Sequence, residues 1–166
     1  TYNIFMQNDG SGLDSSGYYR KSGGDYYEWF DASAFIGFDT PVELWGEYIM
    51  VKDNVGQGTN WKSGSFSGVV SGTPLTIRFS YTLIQKDVPI TVTTSPGTTN
   101  TTYQNVLVVK EEYEAEVSPG MWQSLTPSIG YGQSYYAKGI GLIKYEVYDP
   151  SGTLSDYQEL RRYQVF

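Results

Sequence analysis

Two residue types that carry much of enzyme chemistry, histidine and cysteine, are absent from this sequence of 166 residues. Without them the chain cannot build a Ser-His-Asp or Cys-His catalytic centre, and it lacks the imidazole and thiolate ligands that hold zinc, iron and copper. The glycine patterns that bind phosphates and dinucleotides are missing as well. These absences predict a protein that is not an enzyme and that has no metal and no cofactor.

Basic residues are scarce too. The chain has 11 Lys and Arg against 18 Asp and Glu, which gives a net charge of −7. Nucleic acid and anionic membrane surfaces repel a protein of this sign, so we expect no nucleic-acid partner. No run approaches the roughly 18 apolar residues of a membrane-spanning helix, so no membrane-spanning segment is predicted.

The lack of cysteine is compatible with the cytosol, and equally with an envelope protein whose fold does not depend on disulfides. The sequence begins at Thr1 without Met and without an apolar stretch typical of a signal peptide, which indicates a processed or trimmed chain. A lipid anchor on such a protein would be attached to a cysteine upstream of Thr1.

Helical patterns are nearly absent, whereas 16 Tyr, 7 Phe and 19 Gly favour strands and turns. We therefore expect one all-β domain over residues 1–166, antiparallel, with about nine to ten strands and little helix. That number exceeds what a flat sheet holds comfortably, so the sheet should be strongly curved or form a sandwich or half-barrel.

The clearest strand pattern lies between residues 64 and 86. An apolar row alternates with polar residues there, which predicts a strand with one buried and one wet face, Ser80 lying on the wet one. Its hairpin partner should cover residues 64–71. The apolar row consists of Leu75, Ile77, Phe79, Tyr81 and Leu83.

Other segments are assigned from shorter patterns. Asp149-Pro-Ser-Gly152 fits a turn that joins a strand ending at Tyr148 to a return strand running through Tyr163. Thr40–Trp45 fits one helical turn, and residues 54–60 fit a loop. Further strands are predicted in three short pieces between residues 1 and 31, then at 47–52, 89–94 and 103–117.

Paired carboxylates are the one catalytic chemistry left open, because glycosidases need only two. Glu112, Glu114 and Glu116 share one face of a predicted strand, which favours a solvated face over a catalytic site. Glu111 lies on the core side, where a carboxylate needs a partner. Arg161, Arg162 or Lys144 would supply it, and a structural ion pair is favoured over catalysis.

The segment Asn8–Asp14 is rich in oxygen ligands and superficially resembles a calcium loop. The EF-hand spacing fails, because the sixth place lacks glycine and Arg20 stands where the bidentate glutamate belongs. Turn chemistry alone explains this composition.

Aromatic residues crowd the hairpin of residues 18–30. Adjacent aromatic residues point to opposite faces of a strand, so some of these rings must face outward, where a sugar or a protein partner can stack on them. The competing interpretation is that they merely cover the sheet. The candidate binding residues are Tyr18, Tyr19, Tyr26, Tyr27 and Trp29, with Phe30 beside them.

The run Tyr135-Tyr-Ala-Lys-Gly-Ile-Gly-Leu-Ile-Lys144 resembles the "YYAKGVGLIK" motif of uncharacterised secreted proteins and lipoproteins of the bacterial cell envelope. In that family the motif follows a strand similar to residues 102–109, and Val51–Trp61 resembles an upstream family segment. The resemblance covers residues 48–166 and leaves the N-terminal third unmatched. It implies an extracytoplasmic location and an antiparallel β architecture, and no activity. Ala137, Gly139 and Gly141 fit a bend rather than an active site.

Together these features predict a non-enzymatic, extracytoplasmic domain of the bacterial envelope, periplasmic, surface-bound or secreted. It would bind a protein partner or a saccharide through its aromatic face. The alternative is a carrier that encloses an apolar ligand, such as a lipid, within a curved sheet.

Overall fold

The computed structural model describes residues 3–8, 13–31, 45–93 and 100–159. Most of them lie in antiparallel strands, which confirms the predicted all-β class with little helix. The described residues form eleven strands and one helical turn: β1 (Asn3–Asn8), β2 (Leu13–Ser22), β3 (Asp25–Asp31), β4 (Trp45–Lys52), β5 (Asn60–Val70), β6 (Thr73–Thr93), β7 (Asn100–Ser118), β8 (Met121–Ser124), α1 (Thr126–Ile129), β9 (Tyr131–Ala137), β10 (Gly141–Tyr148) and β11 (Leu154–Glu159).

These strands build two sheets and contribute to two compact units. The first unit draws on Thr1–Val55 and Ser63–Ile77, and the second on Gly56–Lys62 and Arg78–Phe166. A four-stranded sheet has the order β1-β2-β3-β4, and a seven-stranded sheet has the order β11-β10-β9-β7-β6-β5 with β8 paired to β7. Strands β5 and β6 contribute residues to both units.

The four-stranded sheet depends on the predicted turn between β2 and β3. Gly23 has a φ of 61°, which suits glycine, and the register pairs Ser22 with Asp25 across the turn. Gly24 is buried, and the backbone N–H of Asp53 donates to its carbonyl oxygen at 2.8 Å. A Cβ on Gly24 would lie 2.4 Å from the side chain of Asn54, so only glycine fits this close approach.

The hairpin of β5 and β6 also follows the prediction. Its turn residues Ser71 and Gly72 both have positive φ, 49° and 76°, as two-residue hairpin turns commonly require. The apolar row is buried at Ile77, Phe79, Tyr81 and Leu83 and half-buried at Leu75, which confirms the assigned core face.

The opposite face of β6 is less wet than predicted. Ser80 is 3% exposed and accepts hydrogen bonds from Lys62 Nζ at 2.7 Å and Asn60 Nδ2 at 3.2 Å. The placement of Ser80 in solvent is therefore wrong. A small hydroxyl fits under the two longer side chains of β5, and sequence alternation on β6 alone does not show that cover.

Strand β6 is also longer than predicted. The separate strand expected at residues 89–94 is, as far as Thr93, the end of β6, which continues through Asp87 at a φ of 56°. Residue 94 lies outside the described residues. The loop over 54–60 is confirmed up to Asn60, where β5 begins, and β7 contains the predicted strand 103–117. The helical turn predicted for 40–45 lies outside the described residues except for Trp45, which is the first residue of β4.

The Tyr135–Lys144 motif forms a hairpin connection rather than one bent strand. Strand β9 ends at Ala137, the turn covers residues 138–140, and β10 begins at Gly141. Gly139 and Gly141 have φ values of 78° and 105°, so both satisfy the predicted requirement for glycine. At the next turn the N–H of Gly152 donates to the carbonyl oxygen of Asp149 at 2.9 Å, which confirms the predicted turn.

The core of the second unit combines aromatic and β-branched side chains. Trp61 stacks on Tyr81 with ring centroids 5.8 Å apart, and Phe79 contacts Tyr113 at 5.2 Å. A further buried cluster consists of Val92, Tyr103, Val106, Val108, Ala137 and Ile143.

Candidate functional site

The register of the four-stranded sheet divides the aromatic hairpin between two faces. Tyr18 lies opposite Trp29, and Arg20 lies opposite Tyr27. Because side chains alternate along a strand, Tyr18, Tyr27 and Trp29 share one face. Strand β4 adds Trp45 and Glu47 to it, since Glu47 pairs with Trp29 and Trp45 with Asp31. We call this surface the outward aromatic face; its rings are Tyr18, Tyr27, Trp29 and Trp45.

The two indoles of the outward aromatic face are open to solvent. Trp29 is 41% exposed and Trp45 is 52% exposed, while Tyr18 and Tyr27 are half-buried. Trp45 lies diagonally across from Trp29, which places the two residues about 7–8 Å apart in a regular antiparallel pair, with their Cβ atoms somewhat closer. Tyr18, Trp29 and Trp45 therefore form a diagonal row of rings across β2, β3 and β4.

Arg20 organises the polar part of this face. Its guanidinium carbon lies 3.8 Å from the centroid of the Tyr27 ring. The same guanidinium binds the Glu47 carboxylate with two nitrogens, Nε to Oε1 and Nη2 to Oε2, the latter at 2.5 Å. Arginine suits this arrangement, because its planar guanidinium can bind a carboxylate with two nitrogens and stack on an aromatic ring at the same time. One side of the Tyr27 ring is therefore covered by Arg20, and the positive charge of Arg20 is matched by Glu47.

Tyr19 belongs to the opposite face. Its hydroxyl donates to Glu28 Oε1 at 2.8 Å. Burial raises the pKa of Glu28 above its ordinary value, and the hydrogen bond from Tyr19 opposes this shift. Burial also raises the pKa of Tyr19, with the charge of Glu28 acting in the same direction. Tyr19 therefore has a structural role, because it is the hydrogen-bond donor to a half-buried carboxylate.

Tyr26 is on that opposite face as well. Its hydroxyl donates to Asp53 Oδ2 at 2.7 Å, and Lys21 Nζ lies 3.0 Å from the same oxygen. Phe30 and Tyr48 pack beside it with ring centroids 4.5 Å apart. Of the five candidate binding residues, the structure thus brings Tyr18, Tyr27 and Trp29 together and separates Tyr19 and Tyr26 from them.

Sequence reasoning missed Trp45, Arg20 and Glu47. The alternation Trp45-Gly-Glu47-Tyr-Ile49 was available as a sign that Trp45 and Glu47 share a face. What the sequence does not contain is the register between β3 and β4, which carries a bulge between Tyr26 and Tyr27. That register decides that Glu47 reaches Arg20.

Two carboxylates of the row on β7, Glu112 and Glu114, are half-buried and paired with cations, so the solvated-face interpretation is wrong for these two. Glu114 binds Lys62 Nζ at 2.5 Å and Arg78 Nη2 at 2.7 Å. Burial favours a higher pKa for Glu114, but the hydrogen bonds from Lys62 and Arg78 outweigh it and lower the pKa. The long cationic side chains of β5 and β6 reach across to β7, and Arg78 also lies 4.0 Å from the Trp122 ring.

The two other glutamates of this row are also bound. Lys110 Nζ lies 2.9 Å from Glu112, and the Thr126 hydroxyl donates to the same oxygen at 2.6 Å. Glu116 accepts a hydrogen bond from the backbone N–H of Gly120 at 2.7 Å. Each carboxylate of the row thus has a structural partner, which gives no support to catalysis by a pair of them.

Glu111 lies on the other face of β7, as predicted, and accepts a short hydrogen bond from the Ser134 hydroxyl. Its negative charge adds to burial in raising the pKa of Tyr113 to about 12 and in raising that of Tyr145. Lys144 does not serve as its partner, because the register puts Lys144 on the opposite face. There Lys144 binds Glu146 at 2.8 Å. Arg161 and Arg162 lie outside the described residues.

Two further expectations concern metals and membranes. In the part of the chain that the structure describes, no cluster of acidic side chains has the composition of a metal site. Residues 9–12, the middle of the segment that resembles a calcium loop, lie outside that part. The described helix is too short to cross a membrane.

No protein-family model, no curated protein and no solved structure matches the sequence. The resemblance of the Tyr135–Lys144 motif to bacterial envelope proteins stays a prediction.

Proposed function

We propose that the protein is a non-enzymatic, extracytoplasmic domain of the bacterial cell envelope that binds a partner, a saccharide or a protein, through the outward aromatic face. One observation carries the proposal: the four-stranded sheet presents two exposed indoles, Trp29 and Trp45, on the same face. Among the aromatic side chains whose burial the structure describes, Trp29, Trp45 and Tyr157 are exposed, and the others are buried or half-buried.

Exposed indoles on a sheet are energetically suited to binding. Each buries a large apolar area on contact, worth about 25 cal/mol per Å² removed from water. Their rings lose little conformational entropy when they are immobilised, and the ion pair between Arg20 and Glu47 holds the adjoining surface in place. Trp, Tyr and Arg are also the residues that most often dominate binding energy.

The proposed location is supported by the resemblance of residues 135–144 to envelope proteins. A net charge of −7 keeps the protein away from nucleic acids and anionic membrane surfaces. The absence of cysteine is compatible with this location.

Retention by envelope material tests the proposal. The immobilised protein is incubated with a detergent extract of bacterial envelopes, and the retained proteins and sugars are quantified. Trp29→Ala and Trp45→Ala should each reduce retention strongly and leave the melting temperature nearly unchanged, since both side chains are exposed.

Tyr157→Ala is the matched control, because Tyr157 is an exposed aromatic residue at 58% and lies on β11 of the other sheet. Immobilised Tyr157→Ala should retain as much envelope material as the immobilised wild type. Equal retention by the wild type and both tryptophan variants would show that the outward aromatic face is not the binding surface.

A further inference from the structure

We infer that the ligand of the outward aromatic face is a neutral glycan chain that lies along the row Tyr18, Trp29 and Trp45. This inference rests on the proposed function and names the ligand class. The row crosses three adjacent strands, with Tyr18 opposite Trp29 and Trp45 diagonal to Trp29. A diagonal row of rings matches an extended ligand that repeats one flat unit, and a chain of sugar rings is such a ligand.

The chemistry of the row suits sugars. A sugar ring presents polarised C–H groups on its faces, and these are attracted to the negative face of an aromatic ring. Its hydroxyl groups lie at the edges and need acceptors. The Glu47 carboxylate stands directly across from Trp29, and Arg20 occupies one direction on each of its oxygens. Carboxylate oxygens are hydrogen-bond acceptors, so Glu47 places an acceptor group beside the stacked ring.

The charges of the face point to a neutral glycan. The register places two cations of the described residues on this face, Arg20 and Lys52, and each is bound to a carboxylate. Arg20 pairs with Glu47, and Lys52 Nζ lies 2.9 Å from Asp25. An acidic glycan would therefore have to displace one of these carboxylates from its cation. It would also meet a chain whose net charge is −7.

Binding of defined oligosaccharides tests the inference. Calorimetric titrations would use neutral dimers and hexamers of glucose, mannose and N-acetylglucosamine, with the hexamer of galacturonic acid as the acidic counterpart. At least one neutral hexamer should bind more tightly than its dimer, because it reaches more rings, and more tightly than the acidic hexamer. Its affinity should change little between low and high salt, since no ion pair forms with the ligand.

Substitutions locate the glycan on the row. Trp29→Ala and Trp45→Ala should each reduce the affinity for the neutral hexamer by about tenfold or more, the range expected for a dominant aromatic contact. Tyr157→Ala should bind as the wild type. Melting temperatures measured alongside show that every variant is folded.

Two results would overturn the inference: binding of no neutral hexamer, or tighter binding of the acidic hexamer. Unchanged binding by the two tryptophan variants would overturn it as well. Other results distinguish an error in the ligand class from an error in the proposed function. If the tryptophan variants lose an envelope protein while the wild type binds no glycan, the face is a binding surface and the ligand class is wrong. If the tryptophan variants lose binding neither of an envelope protein nor of a glycan, both proposals are wrong.

Discussion

At the scale of single residues, Glu146 shows how this acidic chain accommodates a buried charge. It is 6% exposed, and its carboxylate accepts hydrogen bonds from Tyr135 at 2.5 Å and Tyr148 at 2.7 Å and pairs with Lys144 at 2.8 Å. Burial favours a higher pKa for Glu146, but these three partners outweigh it and hold the pKa below its ordinary value. The charged form is thus bound more favourably in the folded chain than in water.

Glu146→Gln should destabilise the protein by about 1–3 kcal/mol at pH 7, because charged hydrogen bonds to a buried acceptor are lost. A carboxylate with a lowered pKa in the folded state stabilises the fold above its unfolded pKa, about 4.3, and this stability is lost as the pH falls through the folded pKa. The difference between wild type and variant should therefore shrink from pH 7 to pH 3. Urea unfolding at both pH values measures it.

Asp156→Asn serves as the control, since Asp156 is an exposed carboxylate on the neighbouring strand β11. It should change stability little at either pH. A Glu146→Gln difference of the same size at pH 3 and pH 7 would contradict the charged network.

Gly139 and Gly141 are both predicted to resist substitution, but for distinguishable reasons. Both have open space where a Cβ would lie, so any loss of stability comes from the backbone conformation. Gly139 has a φ of 78°, near the left-handed region that Asn tolerates, whereas Gly141 has a φ of 105°.

Gly139→Val and Gly141→Val should each cost at least about 1–2 kcal/mol. Gly139→Asn should recover part of this loss, and Gly141→Asn should not. Thermal unfolding of the four variants measures the pattern. Wild-type stability in both Val variants would show that the conformation of this turn is not what requires glycine.

At the scale of the elements, alternation predicts the strands and their core faces well. The apolar row of β6 and the two-residue turn at Ser71 and Gly72 follow directly from local chemistry. The long-range pairings do not. The burial of Ser80 depends on Lys62 and Asn60 of β5, and the pairing of Glu114 depends on Arg78 of β6.

Long-range pairing also limited what the sequence could predict about the candidate site. Alternation showed that the rings of the hairpin divide between two faces. Which of them join Trp45 was decided by the register of β3 against β4, and no local pattern encodes that register. Tyr18, Tyr27 and Trp29 could thus be predicted from the sequence. Trp45, Arg20 and Glu47 could be assigned to the face only from the pairing between strands.

Strand β6 offers a test of its two faces. Phe79→Ala should destabilise by about 3–5 kcal/mol, because it removes a large ring that contacts Tyr81 and Tyr113 in the core. Ser80→Ala should cost about 1 kcal/mol rather than nothing, since its hydroxyl accepts from Lys62 and Asn60.

Gln85→Ala, at an exposed position of the same strand, should be nearly neutral. Chemical denaturation gives the three free energies of unfolding. Equal losses for Phe79→Ala and Gln85→Ala would contradict the assigned core face, and a neutral Ser80→Ala would contradict its buried hydrogen bonds.

At the scale of the whole molecule, binding through the outward aromatic face is the proposed function. The chain has no histidine and no cysteine, and the glutamates of β7 have structural partners. The four tryptophans divide by exposure. Trp29 and Trp45 are exposed on the outward aromatic face, whereas Trp61 is 8% exposed in the core. The tryptophans therefore report separately on a ligand bound at this face and on a ligand enclosed in the interior.

The indole N–H signals of the four tryptophans provide the most direct test of the binding face. They are assigned by single Trp→Phe substitutions and followed by two-dimensional NMR while solubilised envelope material is added. We expect the signals of Trp29 and Trp45 to shift while that of Trp61 stays in place. A shift of Trp61 alone would contradict the binding face and indicate a carrier with an enclosed ligand.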